Sequence, residues 1–396
     1  MKLTTVSNYI NHHRIPLSNE LYRALGEDYH FIQTEPMDEE RVKMGWGKEL
    51  KQIPYLKMYY DEPEACQQMI MDSDIVIYSG LEEESYIQPR LQKGLPVIRG
   101  SERLYREGQW KAISPRGLRK KYLDHTRYHN APVYLLCHGA YVASDFHIVR
   151  AYPDKMFKWG YFTEVKEYDL EQLFAQKVNS RMRGRECISI LWAGRFMPLK
   201  HPEYAIETAK ILKQLNKNFH LDMIGGGEME QACKNLVKQY GLEKEVTFHE
   251  FMQPTAVREF MERADIFIFS SNHLEGWGAV LNESMNSACA VVAGSGIGAV
   301  PFLIEDGHNG LIYPNEKMHA CIRQVVRLVE DEELRKKLGR NAYQTMVTLW
   351  NPQVASKRLL NFCENILSGK VEGEETGPLS KAEILSPRKG YAYETK

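Results

Sequence analysis

Short apolar runs alternate with longer amphipathic stretches along the first part of the chain. The runs that predict β-strands are LTTVS near the amino terminus and residues 74–79, 95–100 and 133–137. The stretches between them have the spacing of apolar positions that is typical of helices. This alternation indicates βαβ units, in which helices cover a parallel sheet.

The same alternation starts again in the second half of the chain. Further strands are predicted at residues 187–194, 220–225, 245–251, 265–271 and 290–295. A polar, helix-prone stretch at 169–186 separates the two series and indicates an interdomain connection. The pattern therefore predicts an α/β protein with two doubly wound domains. Ligands of such sheets bind beyond the carboxyl ends of the strands, so we expect the active site in a cleft between two facing domains.

The predicted division of the chain has five segments. They are a first domain at 1–165, a linker at 166–186, a second domain at 187–348, a carboxyl-terminal helix at 349–367 and a tail at 368–396. The tail is rich in Gly, Glu, Lys, Ser and Pro. It has too few apolar residues to bury a core alone, so we expect it to be disordered.

Composition narrows the class of protein. Of the 396 residues, 43% are hydrophobic and 26% are charged, which is enough for two cores of ordinary size. The net charge of −1 gives no global attraction to nucleic acid. The start of the chain lacks the apolar core of a signal peptide, and we expect a cytoplasmic protein. The seven cysteines are scattered without a CxxC pair, which argues against a zinc site or a disulfide framework.

Two cations follow the first strand of the second domain. Arg195 and Lys200 lie in a loop that leads into a helix. Two positive charges at the carboxyl end of a strand suit a polyphosphate. The alternative is a solvated loop with unrelated charges.

A run of three glycines, Gly225–Gly227, separates the next strand from its helix. Glycine lets the backbone approach a ligand closely, and a helix N-terminus favours an anion. A tight turn with no ligand explains the same residues equally well.

The stretch EGWGAVLNE places two carboxylates, Glu275 and Glu283, around Gly276, Trp277 and Gly278. The pattern predicts a loop that carries Glu275 and a helix from about Ala279 that carries Glu283. Two acids so placed would hold separate parts of one extended ligand, with an anionic part facing the helix N-terminus. A nucleotide-sugar has this shape, with Glu275 towards the sugar hydroxyls and Glu283 towards the ribose. The alternative is a solvated Glu283 and an acid at 275 that only favours the helix dipole.

Taken together, these segments resemble the retaining glycosyltransferases of family 4, also called glycosyl transferases group 1. The hallmark of that family is a Glu, seven residues and a second Glu, here E275-GWGAVLN-E283. GRFMPLKHP, MIGGGEME, VTFHEFM, FIFSS and GSGIGAVPFLIEDGHNGLIYP follow the family order across roughly residues 187–348. The resemblance implies a GT-B fold, with two Rossmann-like domains. The first would face the acceptor, the second would bind the donor, and the final helix would cross back to the first domain.

The resemblance also implies roles for individual residues. Arg195 and Lys200 would hold the donor diphosphate and Glu275 would contact the transferred sugar. The other implied donor-binding residues are Gly194, Gly226, Phe251, Gly276, Trp277, Gly278 and Glu283. No metal and no cofactor are implied, because the cations and a helix terminus neutralise the leaving group and the nucleotide-sugar is a substrate. The tripeptide DSD at 72–74 imitates a metal motif of another glycosyltransferase fold, but its place before a strand favours a helix–strand junction.

The resemblance is weaker in the first half. Many family members carry a His that faces the sugar, whereas the corresponding segment here offers Glu102 and no His. We expect Glu102 to substitute, or His138 after the strand at 133–137 to act instead. His12 and His13 follow the first strand and are candidates for contact with the acceptor. The alternatives are a structural histidine at 138 and an ordinary helix-entry loop at 11–18.

A basic, aromatic-bearing segment lies at 114–130. Its cations include Arg116, Arg119, Lys120 and Lys121. Such a segment can lie on an anionic membrane, and the family often works on lipid-linked acceptors, so contact with the inner face of the membrane is one hypothesis. The other is a solvated helix face.

The function that follows is retaining transfer of a sugar from a UDP-sugar, or less commonly a GDP-sugar, to a glycan or lipid-linked acceptor by front-face displacement. Three alternatives stay open. A nucleotide-sugar epimerase can share the architecture, and a non-catalytic protein could bind the nucleotide-sugar alone. A dinucleotide-dependent oxidoreductase is suggested by Gly294, Gly296 and Ala299, which match GxGxxA, although no convincing ribose-binding acid follows the next strand.

Overall fold

The computed structural model describes residues 1–37, 52–180 and 187–387. The described chain divides into two units. The first contains Met1–Glu164 and Trp350–Ser386, and the second contains Val165–Leu349. Each unit is a parallel sheet covered by helices.

Apolar, β-branched runs form the strands of the first unit, as expected where both faces of a parallel sheet are buried. Its strands are β1 (Leu3–Ser7), β2 (Tyr29–Gln33), β3 (Leu56–Met58), β4 (Ile75–Ser79), β5 (Val97–Ser101), β6 (Val133–His138) and β7 (Met156–Trp159). Its helices are α1 (Ile15–Leu25), α2 (Pro63–Asp72), α3 (Gln88–Gln92), α4 (Pro115–Asp124) and α5 (Val142–Ile148). All neighbouring strands are parallel, in the order β3-β2-β1-β4-β5-β6-β7. The order changes direction between β1 and β4, which makes that point the topological switch of the sheet.

The second unit repeats this plan. Its strands are β8 (Ile188–Ala193), β9 (Phe219–Ile224), β10 (Val246–His249), β11 (Ile266–Phe269), β12 (Ala290–Gly294) and β13 (Leu311–Tyr313). Its helices are α6 (Leu170–Ser180), α7 (Glu203–Gln214), α8 (Glu230–Gln239), α9 (Pro254–Arg263), α10 (Val280–Asn286), α11 (Val300–Leu303), α12 (Met318–Glu330) and α13 (Glu332–Thr348). The strands are parallel in the order β10-β9-β8-β11-β12-β13, with the switch between β8 and β11. The prediction of two doubly wound α/β domains is therefore confirmed.

The predicted linker differs from what is observed. Within it, α6 packs as part of the second unit, with Leu173 buried and the Lys177 ammonium donating to the backbone oxygens of Met261 and Ala264. The polar composition of this stretch concealed one buried face. Residues 181–186 of the predicted linker lie outside the described residues.

The last helix of the described chain, α14 (Pro352–Leu367), belongs to the first unit. Its Phe362 ring contacts the rings of Tyr134 and Phe157, with centroids 5.7 and 4.7 Å away. An apolar face therefore holds this distant part of the chain against the first sheet.

The prediction of a disordered tail is wrong for the residues that follow α14 up to 387. Leu379 is only 1% exposed, and its backbone N–H donates to the Lys158 carbonyl at 2.8 Å. The Lys158 N–H donates in turn to the Ser380 carbonyl, so the tail pairs with the outer edge of β7. Backbone pairing at an open sheet edge and one buried leucine order a segment whose composition predicts disorder. Residues 388–396 lie outside the described part.

Candidate active site

In the second unit, the loops after three adjacent strands are tied together by backbone hydrogen bonds. The Gly194 N–H donates to the Ile224 carbonyl and the Phe196 N–H to the Gly226 carbonyl, at 3.0 and 2.9 Å. The Asn272 N–H donates to the Leu199 carbonyl at 2.8 Å, which fixes the loop after β8 to the loop after β11. The segments that the sequence singled out therefore share one edge of the sheet.

Two of the three glycines after β9 are needed for this close approach. A Cβ on Gly225 would lie 2.1 Å from the Gly194 oxygen, and one on Gly227 would lie 2.5 Å from the Phe196 oxygen. Both have positive φ angles, +135° and +147°, which side chains rarely adopt. Gly226 has more space, since a Cβ there would lie 3.7 Å from a Glu230 side-chain oxygen, an ordinary van der Waals distance. Only Gly226 of the three is thus unconstrained by the loop contact.

Lys200 and Glu275 form an ion pair across this edge. Their side chains are 17% and 14% exposed, so the two charges are largely removed from water and compensate each other. The Lys200 carbonyl accepts from the Ser270 hydroxyl at 2.7 Å, which anchors the lysine to the end of β11. The structure therefore brings together two of the residues that were predicted to act on the donor.

The loop between β11 and α10 is shaped by Gly278 and Trp277. Gly278 has a φ of +86°, and a Cβ there would lie 2.2 Å from the Phe269 ring. The Trp277 side chain is buried and its Nε1–H donates to the Asn282 side-chain oxygen at 2.9 Å. Only its backbone is available to a ligand, as the resemblance implies. The helix begins at Val280 as predicted, and Glu283 lies in its first turn.

The remaining donor-side candidates occupy the same end of the sheet. Arg195 is exposed in the loop after β8 and has no ion pair with any described residue. Phe251 follows β10 and is 48% exposed, an unusual environment for a large ring. Gly276 lies between Glu275 and Trp277. The carboxyl ends of β8, β9, β10 and β11 thus hold all the predicted donor contacts in one neighbourhood.

The loop after β12 does not have the geometry of a dinucleotide site. A Cβ on Gly296 would lie 2.4 Å from the Asn315 side-chain oxygen, so that glycine accommodates the Asn315 side chain. The helix that follows, α11, is a single short turn, Val300–Leu303. The GxGxxA match therefore has a packing explanation.

In the first unit, a pocket of about 390 Å³ opens at the carboxyl ends of β4, β5 and β6. Among its lining residues are Glu102, His138, Arg14 and Tyr161. The Tyr161 hydroxyl donates to Glu102 at 3.2 Å, and the other Glu102 oxygen pairs with Arg106. Burial raises the pKa of Tyr161 to about 12, so this hydroxyl keeps its proton.

His138 contributes a neutral imidazole to this pocket. Burial, and secondarily the charge of Arg14, lowers the pKa of His138 to about 3. Its ring lies 5.6 Å from the Tyr161 ring. The His13 ring lies 6.1 Å from the same ring, and the His12 ring lies beside His13, tilted by 50° with centroids 3.8 Å apart. Three acceptor-side candidates, Glu102, His138 and His13, therefore surround Tyr161.

Two residues of this pocket were missed from the sequence. Arg14 directly follows the pair of histidines, and Tyr161 lies in the segment WGYF after β7. The position of Arg14 after the first strand was an available signal. Nothing in the sequence pointed to Tyr161, because its partners come from other strands of the sheet.

The tripeptide at 72–74 joins α2 to β4, as predicted, and the Asp74 carboxylate accepts from the Lys2 N–H at 2.8 Å.

The basic segment of the first unit forms α4, with Arg116, Arg119 and Lys120 exposed. Large apolar side chains around it are also exposed, namely Trp110, Ile113, Leu118, Tyr122 and Leu123. Lys120 and Lys121 also line the pocket described above. Across the described ranges, none of the helices has the length and apolar character needed to span a membrane.

Comparison with known proteins finds relatives of the second half of the chain. The family model of glycosyl transferases group 1 matches residues 183–345. A D-inositol 3-phosphate glycosyltransferase of Corynebacterium glutamicum is 24% identical over 191 residues, which cover 47% of this chain and 45% of that protein. The amylovoran biosynthesis glycosyltransferase AmsK of Erwinia amylovora is 27% identical over 198 residues, 48% of each chain. The match thus spans about half the length of these relatives.

The fold is also that of known structures. Anabaena Alr3699/HepE in complex with UDP superimposes with a TM-score of 0.68 at 12% identity, covering 92% of this chain and 100% of that one. The fold class is GT-B, with two Rossmann-like domains in one chain. The Lys200–Glu275 pair and its glycine-containing loops lie within the part that the family model matches. Residues 183–345 of the chain are thus similar to the glycosyl transferases group 1 family.

Proposed function

We propose that the protein is a retaining glycosyltransferase that moves a sugar from a nucleotide-diphosphate sugar to a glycan or lipid-linked acceptor. The donor that we propose is a UDP-sugar. The observation that carries it is the Lys200–Glu275 ion pair, which stands among the loops after β8, β9 and β11 in a glycosyl transferases group 1 domain. The complex of Alr3699/HepE with UDP supports the choice of nucleotide for a protein of this fold.

In this proposal the two charged partners act on different parts of the donor. Lys200 and the exposed Arg195 bind the diphosphate, and Glu275 accepts hydrogen bonds from sugar hydroxyls. Backbone groups at Gly194, Gly226 and Gly276–Gly278 approach the phosphates and the sugar. Glu283 binds the ribose, and Phe251 packs against the nucleobase, which would bury an otherwise exposed ring.

The proposed reaction is a front-face displacement. The bond between the anomeric carbon and the diphosphate breaks, its electron pair goes to the leaving phosphate oxygen, and the acceptor oxygen bonds to the same face of the sugar. The leaving oxygen takes the proton of the acceptor hydroxyl. Arg195 and Lys200 stabilise the developing negative charge from fixed positions. Because these cations can supply the charge, the proposal requires no metal ion, and transfer is expected to persist in EDTA.

On the acceptor side, the proposal uses the pocket around Tyr161. His138 is neutral at physiological pH, so it can donate or accept a hydrogen bond without carrying charge. Glu102 is held by Tyr161 and Arg106, which gives its carboxylate a fixed orientation. Both are proposed to bind hydroxyls of the acceptor or of the transferred sugar, and His12 and His13 to line the approach.

Binding of nucleotides separates this proposal from its alternatives. We expect UDP-sugars to raise the melting temperature of the protein more than GDP-sugars do, and NAD to have no effect. Binding should weaken in Arg195→Ala but not in Arg323→Ala, a matched change on α12. Stabilisation by NAD alone would favour the oxidoreductase. Isomerisation of the bound donor without any acceptor would favour the epimerase, and binding with no turnover would favour the non-catalytic protein.

The exposed patch on the first unit is proposed to rest on an anionic membrane. Trp110 and Ile113 are 62% and 80% exposed, next to the cations of α4. Apolar side chains beside Arg116 and Arg119 match the chemistry of a surface of acidic lipids, and this is the inner face of a membrane for a cytoplasmic protein.

We expect Ile113→Ala to weaken binding to phosphatidylcholine–phosphatidylglycerol vesicles by roughly tenfold, the effect of one large apolar side chain. Leu367→Ala, which removes an exposed apolar side chain elsewhere in the first unit, should leave binding unchanged. Sedimentation with vesicles at two salt concentrations measures both effects. Equal sedimentation of the two variants, or no loss of binding at high salt, would contradict a membrane role for the patch.

A further inference from the structure

Arg14 occupies the topological switch point of the first sheet. Its guanidinium donates to the Ser7 hydroxyl at the end of β1 and to the Ser79 hydroxyl at the end of β4, the latter at 3.2 Å. Ser7 and Ser79 are partners in the register of the two strands. A Cβ on Gly80 would lie 2.9 Å from an Arg14 terminal nitrogen, so the glycine leaves room for the guanidinium. Ligands of doubly wound sheets bind at this position.

The other cations of the pocket differ from Arg14 in their partners. Arg99 makes a two-pronged contact with Glu84, at 2.7 and 2.6 Å, and Arg103 bonds the buried Asp145 at 3.3 Å. The Lys120 ammonium lies 3.6 Å from a carboxylate oxygen of the exposed Glu82. Arg14 has no carboxylate of the described residues within ion-pair distance. Within the described part of the chain, its guanidinium therefore hydrogen-bonds to neutral hydroxyl groups and forms no ion pair.

A half-buried cation without a counter-charge is costly, because hydroxyl groups replace only part of its hydration. Glu102, an acid of the same pocket, does not remove this cost, since it pairs with Arg106 and accepts from Tyr161. Arg14 also shares the pocket with Lys121, which adds a second positive charge to its lining. The hydroxyl of Tyr161 and the imidazole of His138 add further hydrogen-bonding groups beside it.

We propose that this pocket binds a phosphate group of the acceptor, and that Arg14 is the residue that selects for it. The inference rests on the proposed function, which it makes more specific by naming a phosphorylated acceptor. A planar guanidinium suits the oxygens of a phosphate, and Lys121 and the imidazole of His138 line the same pocket. The phosphate is either that of a soluble sugar phosphate or that of a lipid headgroup.

The test titrates the full chain with inorganic phosphate by calorimetry while UDP saturates the donor site. We expect the wild-type protein to bind phosphate and Arg14→Gln to bind it about tenfold or more weakly, the usual effect of losing charge-assisted hydrogen bonds. Arg23→Gln changes an exposed arginine in the last turn of α1, the helix that Arg14 precedes, and should bind phosphate as the wild type does. Phosphate affinity that is equal in wild type and Arg14→Gln, or absent from both, overturns the proposal.

Arg14→Lys is the control for a loss of folding. It keeps the positive charge at this position while removing the planar guanidinium group. It should bind phosphate more weakly than the wild type but more tightly than Arg14→Gln, with an unchanged melting temperature. The affinity of the wild-type protein for UDP is measured separately from its affinity for phosphate. Failure of the wild type to bind UDP contradicts the proposed function, whereas the Arg14 comparison still tests the phosphate site.

A second arm distinguishes the source of the phosphate. Vesicles of phosphatidylcholine with phosphatidic acid are bound to the protein and then challenged with inorganic phosphate. Release that depends on Arg14 assigns the site to a lipid headgroup. No release, together with Arg14-dependent binding of inorganic phosphate, assigns it to a soluble phosphorylated acceptor.

Discussion

Glu275→Gln is expected to lower sugar transfer about 100-fold while the affinity for nucleotide stays within a few-fold of the wild type. The carboxylate is proposed to contact the transferred sugar, so its loss affects the step in which that sugar moves. The substitution also removes the partner of Lys200, whose ammonium then remains available to the diphosphate. Glutamine keeps the shape of the side chain, which limits any effect on folding.

The measurement is release of nucleotide from whichever donor binds in the nucleotide panel, with the affinity for UDP measured alongside. Glu316→Gln is the matched control, because Glu316 is a half-exposed acid of the same unit whose partner is His273. Unchanged release in Glu275→Gln would remove Glu275 from the proposed role. Equal losses in both variants would indicate a general effect of charge on the unit.

Gly225→Ala is expected to destabilise the second unit by about 2–4 kcal/mol and to abolish most of its nucleotide binding. The added methyl group would meet the Gly194 backbone oxygen at 2.1 Å, and a backbone atom cannot move aside as a flexible side chain can. The loops after β8 and β9 must then separate. Arg195 and Lys200 stand in the first of these loops and would lose their fixed positions.

Gly241→Ala provides the comparison for this change. Gly241 also has a positive φ, +63°, but a Cβ there would have no neighbour within 4 Å. Its substitution should cost only about 1 kcal/mol from the backbone conformation, with normal nucleotide binding. Urea unfolding and UDP titration of both variants check the prediction. Similar losses in the two would mean that backbone conformation, and not loop contact, sets the cost.

The long apolar strands could be predicted because burial on both faces leaves a continuous signal in the sequence. β8, β9, β11 and β12 all agree with their predicted segments to within two residues at each end. β2 and β3 were missed. The first contains His30 and Gln33 among its apolar residues and the second is only three residues long, so neither produces a clear run. Their place in the sheet depends on pairing with β1, which no local pattern records.

The candidate site could be predicted where its residues cluster in the sequence. Glu275 and the loop around it were found in this way. The direct pairing of Glu275 with Lys200 was not, since the two are 75 positions apart. For the three glycines after β9 a ligand and a tight turn were equally open, and two of the three serve the contact between loops. In the first unit, Arg14 and Tyr161 meet only because parallel strands bring their ends to one edge.

The first unit is built from two segments separated by the whole of the second, and this has a consequence for folding during synthesis. Domains generally fold as units while the chain emerges, starting from the amino terminus. Here α14, with the buried Leu359 and Phe362, leaves the ribosome after all of Val165–Leu349. The second unit is continuous and can complete its core first. The amino-terminal sheet must wait without the apolar face of α14, so we expect chaperones to bind nascent chains that end before residue 350 more than they bind the finished protein.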